Sequence, residues 1–434
     1  MNNRPVEPTG RTPGLNPFLP FDLCIPDGEP KVFGDRVYLY GSLDRTAGCY
    51  CSHAYHVVSA PLCDLTAWVD HGESFSSAAV PWSDAALYAP DVLLHKGTYY
   101  LFFCMADGSE GVAQSDAPEG PFSNPRRITC GGEPIRGIDP SVLADKGHIY
   151  YTWGQFELQM AELNDDLCSL RPETVHRGVL SNADGREGFH EGSSLRKLGD
   201  HYCLIYASEY TDDAPHHGAR PTKLDYAVST DVFGPYERRG TVIDNDGCDE
   251  ATWNNHGSIV KLGAQWYVFY HASSENSVFL RRARAERLQV DEARGVIEQA
   301  APTANGFVRL LLPQMLTSPL HACRFFGGAW AKKTADGRFA AVCSKKGAGF
   351  TFSPARFAEG RYRLALTYRC DADGGIRLFL GDRAAGTAAL PASPDGSAAL
   401  VFFAAAGDFP LRLQSTGDRP CTVFRLQIDK TETV

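Results

Sequence analysis

Asp139-Pro-Ser-Val-Leu143, a glycine at Gly147, then Ile149-Tyr-Tyr-Thr-Trp153 is the stretch that decides the fold. A polar head leads a short apolar strand. A tight turn follows, and then an aromatic strand apolar on both faces, as expected of a strand covered by neighbouring sheets. The phrase recurs on both sides. Upstream stand Asp27-Gly-Glu-Pro-Lys-Val-Phe-Gly34 with Val37-Tyr-Leu-Tyr40, and Asp91-Val-Leu-Leu-His-Lys-Gly97 with Tyr99-Tyr-Leu-Phe-Phe103. Downstream stand Glu191-Gly-Ser-Ser-Leu195 with Tyr202-Cys-Leu-Ile-Tyr206, and His256-Gly-Ser-Ile-Val260 with Trp266-Tyr-Val-Phe-Tyr270. The heads are 64, 48, 52 and 65 residues apart. A four-stranded propeller blade takes about 40–50 residues plus its loops. Outer-strand phrases such as Gly111-Val-Ala-Gln-Ser115 and Leu224-Asp-Tyr-Ala-Val228 follow the hairpins. The pattern predicts an all-β chain with a five-bladed β-propeller over residues 1–318.

Beyond Pro313 the phrase disappears and Ala, Gly and Arg increase. Alternating segments at residues 338–343, 362–368, 376–380, 400–403, 411–414 and 422–428 predict a β-sandwich over residues 319–434. The segment resembles a carbohydrate-binding module, which implies Phe325, Phe326 and Trp330 as candidates for a sugar platform, with core packing as the alternative. The reading favours a sandwich that covers the pocket rim over one that binds sugar independently.

The chain has 434 residues, 43% hydrophobic and 22% charged, an ordinary globular balance with ample length for a core. Net charge is −10, which repels phosphate backbones and argues against a nucleic-acid partner. No apolar run approaches the roughly 18 residues of a membrane helix, so no membrane partner is expected. The start is polar and proline-rich, without a secretion signal, and the 13 cysteines are scattered singly. Reduced thiols and a cytoplasmic location are the expectation. The pairs His216-His217 and His53/His56 have metal-like spacing without acidic partners at ligand intervals.

In a propeller, equivalent positions of the inner strands converge on one channel. The heads Asp27, Asp91, Asp139, Glu191 and His256 are therefore expected to form a ring of ionisable groups at one mouth. Turn chemistry alone favours Asp at such places, but it does not select Glu and His. Like carboxylates held close resist joint ionisation, so their pKa values separate into an acid and a base.

With these phrases assembled, the chain resembles glycoside hydrolase family 43, the five-bladed β-xylosidases and α-L-arabinofuranosidases. The resemblance rests on Pro26-Asp-Gly-Glu-Pro30, Tyr88-Ala-Pro-Asp91, Gly137-Ile-Asp-Pro-Ser141, Phe189-His-Glu-Gly-Ser-Ser194 and Asn254-Asn-His-Gly-Ser258. It implies Asp27 as general base, Asp139 as the residue that tunes the acid, and Glu191 as general acid of an inverting hydrolase acting on carbohydrate. Tyr88, Asp91, His256 and Arg281 are the implied sugar contacts. His256 matches a channel histidine that in the family often meets a central metal, usually calcium. The alternative is an imidazole bonded to its neighbouring carboxylates with no metal. The base is usually followed by Pro, and here Gly28 stands instead; Glu29 is a rival base. The expected activity is exo-acting release of xylose or arabinose from plant oligo- or polysaccharides. A non-catalytic carbohydrate-binding propeller is the alternative, as is another specificity on the same fold, such as galactan or arabinan. A fructan enzyme is disfavoured, because its Asn-Asp-Pro-Asn-Gly phrase is missing.

Overall fold

A computed structural model describes residues 12–183, 188–210, 222–249 and 255–431. Every regular element among them is a strand or a single 3-10 turn. Blade I is an antiparallel meander of Glu29–Phe33, Arg36–Tyr40, Ala54–Pro61 and Val69–Ser76. Blade II is built from Asp91–His95, Thr98–Cys104, Glu110–Ser115 and Ser123–Arg127. Ser141–Asp145, His148–Trp153 and Gln159–Glu162 make blade III. Blade IV comprises Phe189–Leu198, His201–Ser208, Lys223–Ser229 and Glu237–Asp244, and blade V Ser258–Leu262, Gln265–Ala272 and Arg282–Leu288.

The aromatic strands are apolar on both faces because each lies between two blades. Tyr40, Tyr55, Leu101 and Phe103 pack blade I on blade II, and Phe102, Tyr151 and Trp153 pack II on III. Tyr150, Leu204 and Tyr206 join III to IV, and Ile205, Tyr226, Val268 and Tyr270 join IV to V. A fifth layer, with Val37, Leu39, Phe269 and Ala283, returns from V to I and closes the five-bladed propeller. Gly28 and Gly257 meet as a parallel bridge at this closure. A Cβ on Gly28 would stand 2.7 Å from Leu39, a close approach that accounts for glycine after Asp27.

The outer edge of blade V is held from the far end of the sequence. The Asn16 side chain donates to the Ala285 carbonyl at 3.0 Å and accepts the Ala285 N–H at 3.0 Å. It acts as a one-residue strand, covering an edge that would otherwise expose unpaired backbone.

From Arg324 onward two five-stranded sheets face each other. One is ordered Arg324–Phe326, Gly349–Phe357, Gly407–Ser415, Gly374–Leu380, Arg383–Leu390. The other is Ala329–Lys333, Phe339–Cys343, Cys421–Lys430, Gly360–Cys370, Ser393–Ala404. Every second residue of Gly360–Cys370, including Tyr362, Leu364, Leu366 and Tyr368, enters the core. Phe325, a candidate platform residue, is in that core beside Phe350. Leu15, Phe21, Leu311, Leu316 and Leu320 extend the same core into the connecting segments.

Candidate active site

Register sets the site. Glu29, Asp91, Ser141 and Ser258 each open the inner strand of their blade. Two residues before Glu29 and Ser141 the chain bends sharply: Asp27 and Asp139 have φ of 57° and 56°. A left-handed non-glycine residue costs roughly 1–2 kcal/mol, and such strain gathers at functional sites. In blade IV the bend falls on Gly192, φ 66°. A Cβ there would stand 2.9 Å from the His256 ring, so glycine is required and the preceding residue, Glu191, supplies the carboxyl.

The bends bring Asp27, Asp139, Glu191 and His256 to one open pocket of about 370 Å³. Tyr88 and Arg281 line it as the sequence suggested, joined by Tyr50, Cys51, Gln155, Phe156 and His190. The sandwich contributes none of the described lining residues, so it does not form the pocket rim expected of it. His53 and His56 bond Ser77 and Asp70 instead of each other. His216, His217 and Asn254 lie outside the described residues.

Asp91 departs from the expected ring and from its expected sugar contact. Aligned by strand starts, it matches Glu29, not Asp27, and the pocket position of blade II is Ala89. Asp91 is fully buried one layer deeper, ion-paired with Lys31 at 2.6 Å. Glu29 shares that layer and is paired with Arg196, which removes it as a rival base.

Asp27 is the most tightly held carboxylate of the pocket. Arg281 Nη1 donates to its Oδ1 at 2.8 Å. His271 Nδ1 lies 3.3 Å from the same oxygen and 3.2 Å from the Asp27 backbone nitrogen. Burial alone would raise this carboxyl, but the guanidinium, the His271 contact and the His256 imidazole hold it far below the usual carboxylate range. It is a permanent anion at working pH. Arg281 is itself clamped by Asp44, Nε to Oδ2 and Nη2 to Oδ1, both at 2.9 Å. The fork expected to meet sugar hydroxyls is thus spent on buried carboxylates, and Arg281 orients Asp27. Asp44, at 3% exposure, has no repeat signature and was not legible in the sequence.

Asp139 has the opposite environment. Burial and the adjoining charges of Glu191 and Asp27 push its carboxyl well up. Glu191 accepts from Gln155 Nε2 at 2.7 Å and lies 3.8 Å from His190 Nε2. His190 Nδ1 is in turn 2.5 Å from Glu209 Oε1. The site therefore holds one fixed anion facing a pair of carboxyls that cannot both ionise easily. That is the equipment for proton transfer in opposite senses.

A central metal was expected beside His256. Its Nδ1 is 3.7 Å from Asp27 Oδ1 and 3.9 Å from Asp139 Oδ2, and burial favours its neutral form. Among the described residues no three His, Cys, Asp or Glu stand together as a ligand set. The buried carboxylates that would suit a hard cation on the axis, Glu29 and Asp91, are already neutralised by Arg196 and Lys31. The residues present do not fit calcium.

The sequence model of glycosyl hydrolases family 43 matches residues 16–293. A xylosidase/arabinosidase of Thermoclostridium stercorarium is 30% identical over 353 residues, covering 72% of each chain. A β-xylosidase of Xylanibacter ruminicola is 26% identical over 61% of this chain and 93% of its own. Among solved structures, a β-xylosidase/α-arabinofuranosidase from a compost metagenome, in a calcium-free form with xylotriose, superposes with a TM-score of 0.55. It is 27% identical and covers 67% of this chain and 98% of its own. An arabinoxylan arabinofuranohydrolase of Bacillus subtilis covers 97% of this chain with a TM-score of 0.56 at 19% identity, a likeness of fold. The chain belongs to glycosyl hydrolases family 43, a family of inverting glycoside hydrolases.

Proposed function

We propose that this enzyme is an exo-acting β-xylosidase/α-L-arabinofuranosidase that removes single pentose units from plant-derived oligo- or polysaccharide. The observation that carries the mechanism is the split between Asp27, locked as an anion by Arg281, and Asp139, pushed up by burial and by the adjoining Glu191. Asp27 takes a proton from the attacking water. Glu191 protonates the leaving oxygen, and no covalent intermediate is needed. The relatives' names support the pentose. A panel of nitrophenyl glycosides tests it: release from β-xylosides or α-L-arabinofuranosides is expected, and release from galactosides alone overturns it.

Asp139 acts by charge. Burial and the charges of Glu191 and Asp27 hold the Asp139 proton well above the usual carboxylate range, and its loss sets the alkaline limb of the pH–rate profile. Asp139→Asn removes that raised carboxyl from beside Glu191. The alkaline limb of kcat/KM is expected to move down by about one pH unit. An unmoved limb removes this role.

Phe156 belongs to the leaving-group side. It lines the pocket next to Gln155, the partner of Glu191, yet is 46% exposed with φ 61°. A bulky residue in that conformation, held by its N–H to His190 O at 2.7 Å, presents an aromatic face to solvent where the aglycone sits. Phe156→Ala is expected to raise KM for xylo-oligosaccharides by about tenfold, the value of one aromatic contact. A glycosyl fluoride, which has no aglycone to stack, is expected to be hydrolysed at the unchanged rate.

We assign residues 1–318 to catalysis and 319–434 to an accessory sandwich. The 13 cysteines, eight of them buried, support a reducing cytoplasm as the location.

A further inference from the structure

Beneath the pocket floor the five inner strands contribute one residue each to a closed layer. Glu29, Asp91, Ser141, Ser194 and Ser258 are all buried. Ser194 Oγ is 2.6 Å from Ser258 Oγ and 3.3 Å from Glu29 Oε2. Ser141 Oγ donates to Asp91 Oδ2 at 3.2 Å and accepts the Leu195 N–H at 3.0 Å. Five oxygen-bearing side chains, two of them carboxylates, thus ring the axis of the propeller. By ligand chemistry alone such a ring suits a hard divalent cation.

We propose that Lys31 and Arg196 take the place of that cation, so that this propeller carries its central positive charge in its own sequence and needs no calcium. Each lies two residues beyond a ring member on its inner strand, which returns it to the same face of the strand. Lys31 Nζ is 2.6 Å from Asp91 Oδ1. Arg196 pairs with Glu29 and reaches Asp91 Oδ2 at 3.6 Å, while its Nη1 donates to the Leu195 carbonyl at 2.7 Å. Two carboxylates and two cations make a neutral cluster, with cations on both Asp91 oxygens and on Glu29 Oε2. A calcium ion would enter against an ammonium and a guanidinium that already hold Asp91 and Glu29 Oε2. The blades without a head carboxylate at this layer supply serines, which complete the hydrogen bonding without adding charge. His256, between this layer and Asp27, keeps its place without a metal to ligate: its ring packs on Gly192.

The test is metal titration read by thermal melting and by kcat/KM. The melting readout holds whatever sugar the enzyme cleaves, so it stands apart from the pentose assignment. Wild-type protein stripped with EDTA is expected to keep its Tm within about 1 °C and its kcat/KM within about twofold when millimolar calcium is restored, because a ligand that does not bind cannot stabilise. Lys31→Met removes the cation from Asp91 Oδ1, which keeps the Val92 N–H at 2.6 Å, and leaves a unit of charge uncompensated. Its Tm is expected to fall by about 5–10 °C and to recover in part with calcium, the wild type showing no such response. A wild-type Tm that rises with calcium, or activity lost on chelation and restored by the ion, overturns the proposal. A folded Lys31→Met that ignores calcium also overturns it, because the cations would then not be what keeps the metal out.

Discussion

Asp27→Ala abolishes turnover on every substrate, including aryl glycosides whose leaving groups need no protonation. The expected loss in kcat is on the order of 10⁴. The physical reason is that Asp27 is the one pocket carboxylate held as an anion by a guanidinium at 2.8 Å, and water attack needs a base whatever departs from the other face of the sugar. Arg281 keeps its grip on Asp44 in the variant, so the pocket is expected to survive. Azide, which attacks without losing a proton, restores part of the rate and yields a glycosyl azide of inverted configuration. Proton NMR of the first product of the wild type reports the anomer opposite to the substrate's. Retention of configuration, or wild-type rates in the alanine variant, excludes Asp27 as base.

Glu191→Gln separates substrates by leaving group. Loss of the proton donor is expected to lower kcat by about 10²–10⁴ on xylo-oligosaccharides, whose alkoxides are poor leaving groups. Dinitrophenyl glycosides, whose leaving groups are stable anions, are expected to lose less than about tenfold. Gln retains the size and one acceptor of Glu191, so the Gln155 contact does not confound the result. Equal losses on the two substrate classes exclude Glu191 as acid.

The propeller was legible because its aromatic strands are apolar on both faces and recur with their glycine turns. The sandwich was only partly legible. Gly360–Cys370 alternates cleanly, but Arg383–Leu390 is built of Ala and Gly with little β preference, and Gly349–Phe357 is interrupted by Pro354 at a register shift. In the site, Asp27, Asp139, Glu191 and His256 were readable from the repeat. Asp91 was misplaced by two residues, because a carboxylate at a strand start looks alike in either of two adjacent layers and only the pairing register separates them. Asp44, His271 and Gln155 had no signal: they come from loops and second strands and act on the site through partners distant in sequence.

The clasp between Arg281 and Asp27 spans 254 residues, and the Asn16–Ala285 clasp spans 269. These are contacts of very high sequence separation, so the entropy of closing the intervening chain opposes them until the intermediate blades have formed. During synthesis the first blade leaves the ribosome long before its partner, with the edge facing blade V uncovered. Asp27 becomes a fixed anion only when the last blade arrives, so under the proposed mechanism the onset of catalysis coincides with ring closure. Activity therefore serves as a clock for the final step of folding, and a stopped-flow refolding trace read by aryl glycoside cleavage is expected to lag behind one read by tryptophan fluorescence.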